Sequence, residues 1–212
     1  MNGCRVSNIE AFRQWRDDDE AELPDLVSRV VGTFEPTEAM QAGTAFHKAL
    51  EVAAEGFAAA LETEGYRFHI DCDITVELAA IREIRASKTY MVDGLPFIVS
   101  GQLDAIEGKR IDDHKTTSRF DPERYLDGYQ WRLYLDIFDA DLFRWNVFEI
   151  KQEAVLESGF QEWTVTAAHR LEQHRYPELG EDCARIVGQF ARLVRSAAWA
   201  KCVAEVTAPL EA

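Results

Sequence analysis

The sequence predicts an α+β (mixed α/β) fold: a central mixed sheet, beginning as antiparallel strands, with helices on its flanks. Three observations predict it. Apolar residues recur at helical intervals through the first 62 residues. From His69 to Thr117 the chain becomes rich in Ile, Val, Thr and Tyr, with turn signals at Asp93-Gly94 and Gly108-Lys109. Helix, strand and helix then follow without the regular βαβ alternation of a parallel sheet.

Taken in order, Ser7-Asn8-Ile9-Glu10 has capping-box spacing, and Ile9, Phe12 and Trp15 continue at helical intervals. A short helix starts near Pro24, with Leu26, Val27, Val30 and Val31 as its stripe. An Ala-rich helix is expected from about Thr37 to Glu62, its face running through Met40, Gly43, Leu50, Ala54, Phe57 and Leu61. After the strands, Asp121-Pro122 starts a helix to about Phe138, since Asp caps well and Pro suits the first helical position. Strands near Phe143 to Ile150 and Glu162 to Thr166 precede a last helix from Gly180 to Ala200. The expected organisation is one domain over residues 1–212: a helical N-terminal segment (1–36), a core (37–166) and a C-terminal helical segment (167–212).

Composition removes several function classes. Apolar residues make up 47% of the chain, enough for a packed core. No window resembles a membrane span, and Met1-Asn2-Gly3-Cys4-Arg5 is not followed by a signal-peptide apolar stretch, so the cytoplasm is the expected location. Cys4, Cys72, Cys183 and Cys202 are scattered, which argues against a thiolate metal site or a disulfide framework. A net charge of -15 opposes nucleic-acid binding unless basic residues are gathered locally. Acid is concentrated in Asp17 to Glu20 with Glu22 and Asp25, while Cys183 to Lys201 holds Arg185, Arg192, Arg195 and Lys201 with no acid. That stretch reads equally as a modest basic patch or a solvated helix face.

The chemistry-bearing stretch is Gly101 to Lys115. With Gly108-Lys109 as a two-residue type II′ hairpin loop, Glu107 pairs with Arg110, Ile106 with Ile111, Ala105 with Asp112, and Asp104 with Asp113. Lys115, two residues beyond Asp113, points to the same face. Two carboxylates opposed on a half-buried surface are destabilising unless something binds them. A hard divalent cation resolves the conflict, and Lys115 beside it suits hydrolysis of a phosphodiester. The plain alternative is a surface hairpin with a weak Asp113–Lys115 pair. His47 and Glu51 lie one turn apart on the first long helix, where a histidine is more often structural than a ligand. Gln130 and Tyr134 are spaced likewise on the helix after Lys115.

Together, Gly43…His47…Glu51, Gly101-x-x-Asp104, Asp113-x-Lys115 and Gln130-x-x-x-Tyr134 resemble the PD-(D/E)XK nuclease superfamily. Its RecB-like branch, which includes CRISPR-associated iron–sulfur exonucleases and phage recombination exonucleases, is the nearest likeness. The motifs span residues 43 to 134. The resemblance implies a restriction-endonuclease-like core that binds Mg²⁺ or Mn²⁺ through Asp104, Asp113, His47 and the backbone carbonyl of His114. It implies Lys115 as the catalytic lysine, Glu51 as an accessory acid (Glu77 a weaker one), and Gln130 and Tyr134 beside the DNA. Arg119, Arg124 and Arg132 are candidates for phosphate contacts, each equally readable as surface solvation.

There are departures. His114 stands where an apolar residue is usual, Asp112 adds a neighbouring acid, and the cysteines of the iron–sulfur members are missing, so no such cluster is expected. The implied activity is a DNA exonuclease of the phage type, in recombination or repair, acting on double- or single-stranded ends in the host cytoplasm. The alternatives are an endonuclease of the same superfamily, a silent nuclease fold that binds DNA or protein, and an acidic binding protein with a chance match. The acidity predicts a homo-oligomer or a recombination partner that delivers DNA.

Overall fold

The computed structural model describes residues 2–53, 60–73, 81–153 and 159–208. In chain order these form β1 (Gly3–Arg5), α1 (Val6–Arg16), α2 (Leu23–Val31), α3 (Glu38–Val52), β2 (Ala60–Thr63), β3 (Tyr66–Ile70), β4 (Ile81–Val92) and β5 (Leu95–Glu107). There follow β6 (Arg110–Thr117), α4 (Glu123–Leu126), α5 (Gln130–Ile137), β7 (Leu142–Gln152), β8 (Gln161–His174), α6 (Leu179–Val194) and α7 (Ala197–Val206). The eight strands make one sheet in the order β1-β5-β6-β7-β8-β3-β2, with β4 also paired to β5. It is mixed, as the sequence predicts: β1–β5, β6–β7 and β3–β8 are parallel and the other pairs antiparallel.

Helices cover both faces. Phe143, Trp145 and Val147 of β7 enter a core built with α1, α2, α5, α6 and α7. Phe148 and Ile150 of the same strand enter a second core, against Ala42, Phe46 and Ala49 of α3. β7 is thus buried on both faces.

Several boundaries differ from expectation. The Ala-rich helix ends at Val52, not Glu62, because the Arg82 guanidinium takes the carbonyls of Leu50, Glu51 and Ala53 at its end. Ala60–Thr63 turn instead at Glu64-Gly65, both at positive φ, to form a hairpin with β3. Ala54, Phe57 and Glu77 lie outside the described residues. The β4–β5–β6 meander turns where expected, but β3 is not part of it and pairs with β2 and β8. The helix expected over 121–138 is two, α4 and α5, broken at Gly128, where the Glu10 carboxylate accepts from the backbone N–H groups of Tyr129 and Gln130. Glu10 is thus a cap for α5 rather than for its own helix, which begins earlier, at Val6. The last helix also divides, because Ser196 accepts from Trp199 N–H and starts α7. Strand β8 runs on through His174, so residues 167–174 are strand and not helix, paired along β7. β1, three residues long, had no periodicity to reveal it.

Candidate functional site

The Gly108-Lys109 hairpin has the expected register for three pairs, Glu107–Arg110, Ile106–Ile111 and Ala105–Asp112. Gly108 is at φ +59° and Lys109 is not at positive φ, as a type II′ loop requires. There the ladder stops. β1 pairs with β5 from Ile98 to Ser100 and β6 from Ala105 onward, so Gly101 to Asp104 face a gap between two partners. Two backbone groups at that gap bond to side chains. The Tyr134 hydroxyl donates to the Gln102 carbonyl at 2.8 Å, and the His114 backbone N–H donates to Asp104 Oδ2 at 2.7 Å. Gly101 is required for the first contact, since a Cβ there would sit 2.6 Å from the Tyr134 ring.

Four of the expected groups meet at this gap. His47 Nδ1 lies 3.6 Å from Asp104 Oδ2, and Lys115 Nζ lies 2.8 Å from Asp113 Oδ2. The second contact is close enough for an ion pair but off the line of a hydrogen bond, so Asp113 Oδ2 is buried without one. Gln130 donates to the other oxygen, Asp113 Oδ1, at 3.3 Å. α3 approaches β6 closely at Gly43, where a Cβ would be 2.7 Å from Thr116 Oγ1; this seats His47 over the strand. Asp112 does not compete: it turns away to pair with Arg110 at 3.0 Å and Arg144 at 3.7 Å.

Burial pushes the carboxyls of Asp104 and Asp113 up, against the pull of Lys115. Burial opposes the Lys115 charge too, but Asp113 and Asp104 outweigh it and hold the ammonium well above its ordinary value. His47 is pulled down to about 4 by burial and by Lys115, and His114 to about 4 by burial and by His47. Burial and Asp113 raise Tyr134 to about 12. At neutral pH the site therefore holds neutral imidazoles, a protonated lysine and carboxyls that give up their protons reluctantly.

Among the described residues, no three His, Cys, Asp or Glu side chains close into a ligand cage. The donors present nevertheless fit a hard cation in kind: two carboxylates, a neutral imidazole and the chain carbonyl of His114, with Asp113 Oδ2 left short of a hydrogen bond. Lys115 keeps 31% exposure and lines a cleft of about 150 Å³ with Arg124, Tyr125 and Gln130. On the opposite side, Glu51 joins His47, Asp104 and His114 at a small cavity.

That cavity also contains Glu83, which sequence inspection missed. Glu83 stands opposite Asp104 at a step that the β4–β5 ladder skips without changing register, between the pairs Arg82–Ala105 and Ile84–Leu103, and it holds φ +56°. A glutamate held in the left-handed region within a strand is a backbone outlier, and such strained positions cluster at functional sites. Its carboxylate accepts from the Gln102 side-chain amide, and burial, with the charges of Glu83 and Asp104, raises the Glu51 carboxyl. Nothing in Arg82-Glu83-Ile84 marks the positive φ, but counting outward from the Asp93-Gly94 turn, as for the Gly108-Lys109 hairpin, puts Glu83 opposite Asp104.

The arginines divide. Arg119 is exposed on the loop after β6, and Arg124 reaches the cleft of Lys115. Arg132 instead packs on Trp131 and Tyr129 and binds the carbonyls of Asp127 and Gly128, where it braces the start of α5. The C-terminal cations are engaged locally: Arg185 with Asp182, Arg192 with Asp93, Arg195 with the Val92 and Pro96 carbonyls, and Lys201 with Glu205.

No protein-family model matches the sequence, and no curated protein does. The fold is similar to the crystal structure of SSO0001, with a TM-score of 0.54 and 15% identity over 99% of this chain and 87% of that one. The crystal structure of LHK-Exo in complex with dAMP aligns at a TM-score of 0.43 and 13% identity, over 96% of this chain and 89% of that one. At such identity the first likeness establishes the fold alone, and the second superposition is too loose to carry an inference.

Proposed function

We propose that this chain is a divalent-metal-dependent nuclease of the PD-(D/E)XK type, with a restriction-endonuclease-like core. In this reading it is an exonuclease on DNA ends, working in recombination or repair like the phage-type members. The observation that supports it best is the meeting of His47, Asp104, Asp113 and Lys115 where β5 and β6 part. Four residues from three motifs, spread over 68 positions of chain, would have no reason to converge as independent surface features.

Asp104, Asp113, His47 and the His114 carbonyl would hold Mg²⁺ or Mn²⁺, imidazole favouring the latter. Bound there, the cation stabilises negative charge on the phosphate and eases deprotonation of water. The residues of the chain do the rest. Lys115, held protonated between two acids, presents an ammonium that steadies a phosphate or water oxygen. Gln130 fixes Asp113, and Tyr134 fixes the strand that carries Asp104. Arg124 stands where a phosphate entering the cleft would meet it. With a net charge of -15, the chain repels DNA outside the site, so a homo-oligomer or a partner protein is expected to deliver it.

The test is digestion of end-labelled linear duplex DNA in Mg²⁺, Mn²⁺ or EDTA, comparing wild type with Lys115→Ala. Metal-dependent shortening, weakened about 100-fold or more in the variant, is expected. Cutting of covalently closed circles would make it an endonuclease. No cutting, together with no rise in melting temperature on adding Mn²⁺, would leave only a silent fold.

A further inference from the structure

Near the Lys115 cleft the sheet carries an aromatic feature that none of the motifs above uses. Lys115 pairs with Val147, and Val147 with His169, so the three lie in one row across β6, β7 and β8 and face the same side. With strands about 4.8 Å apart, His169 stands about 10 Å from Lys115 along that row. Phe120, just beyond β6, lies flat on the His169 ring, with centroids 4.0 Å apart and planes 4° from parallel. One carboxylate lies beside both: Glu149 Oε1 accepts the Phe120 backbone N–H at 2.8 Å and lies 3.3 Å from His169 Nε2, without a hydrogen bond to it. Tyr125 closes the distance to the site. Its ring is 6.2 Å from that of Phe120 and tilted by 26°, and it lines the same cleft as Lys115 and Arg124.

The rings are rigidly placed yet not sealed. Phe120 is half-buried, and the His169 side chain keeps 32% exposure. Arg119 and Arg124 bracket Phe120 and are both exposed, although Asp121 and Glu123 share the segment. Fixed, partly exposed aromatic rings flanked by guanidinium groups are what successive bases of a single strand stack on, since every base offers a π-face. We infer that Tyr125, Phe120 and His169 form a stacking subsite for a base of single-stranded DNA whose phosphate lies at Lys115. This rests on the nuclease reading for the identity of the ligand.

The subsite is tested by binding, apart from cleavage. In a Lys115→Ala background, fluorescence of 2-aminopurine in a single-stranded oligonucleotide reports stacking, and titration reports affinity. Phe120→Leu keeps the apolar bulk and removes the ring; it is expected to abolish the quenching and weaken binding about 5- to 20-fold. An otherwise identical strand with an abasic residue in place of the 2-aminopurine should bind both proteins equally. Phe120→Trp should retain quenching, which guards against a folding defect in the leucine variant. Unchanged affinity in Phe120→Leu, or equal loss on the abasic strand, overturns the subsite. If either occurs while wild type still cleaves linear DNA and Lys115→Ala does not, the nuclease reading stands and the subsite alone falls.

Discussion

Asp104 Oδ2 accepts the backbone N–H of His114 at 2.7 Å, at the step where β5 and β6 cease to pair. Direct opposition of Asp104 and Asp113 would set two buried carboxylates against each other. The opening of the ladder moves Asp104 onto the backbone of the facing strand instead. One hydrogen bond thus satisfies an N–H left without a strand partner and anchors an acid that the proposed chemistry needs.

That bond separates two substitutions. Asp104→Ala orphans the His114 N–H and should cost about 1–3 kcal/mol of stability. Asp104→Asn keeps an acceptor and should melt close to wild type while losing Mn²⁺ stabilisation and cleavage. Thermal melts with and without Mn²⁺ check this; equal melting of the two variants would contradict it.

Gly101 and Gly43 both sit under close contacts, but of different kinds. A Cβ on Gly101 would press the Tyr134 ring at 2.6 Å, and that ring is 7% exposed with little room to retreat. Gly101→Ala should cost about 1–3 kcal/mol and weaken cleavage by displacing Tyr134 from Gln102. A Cβ on Gly43 would meet only the Thr116 hydroxyl at 2.7 Å, which rotation of χ1 can relieve. Gly43→Ala should cost less than about 1 kcal/mol. Denaturant melts of the pair give the order, and the reverse order would refute the packing account.

Glu83 holds φ +56°, which glycine adopts freely. Glu83→Gly should therefore stabilise the protein, or at worst leave it unchanged, offsetting about 1 kcal/mol of strain. If this strained backbone serves the site, cleavage falls in the same variant. A variant that is both less stable and fully active would show the strained backbone to be incidental to both.

The metal-free protein should weaken on acidification. The unfolded chain takes up protons on His47 and His114 near the ordinary imidazole value of 6.5, whereas the folded site resists until about 4. Unfolded chains then bind more protons than folded ones, so stability from these groups is present above 6.5 and lost as pH falls towards 4. The raised carboxyls of Asp104 and Asp113 work the other way, taking up protons in the folded state first. His47→Gln isolates the imidazole contribution: in EDTA its melting temperature should fall less steeply than that of wild type between about pH 7 and pH 5. Identical slopes would refute the assignment.

What the sequence determined by itself was local or periodic. The Gly108-Lys109 turn announced a hairpin, its register followed by counting, and the face shared by Asp113 and Lys115 followed from strand alternation. Helix periodicity placed His47 toward the core, and a strand was legible near Phe143 to Ile150, while its burial on both faces came from the structure. Tertiary structure alone decided the rest. The ladder opens after Ala105 because β1 and β6 divide the edge of β5, and no local signal encodes the partner of an edge. The end of α3 depends on Arg82, and the break before α5 on Glu10, more than 100 residues away in the chain. Phe120 meets His169 only because β6 and β8 flank the same strand. In each case the deciding contact joins residues remote in sequence, whose free energy appears only once the sheet has assembled.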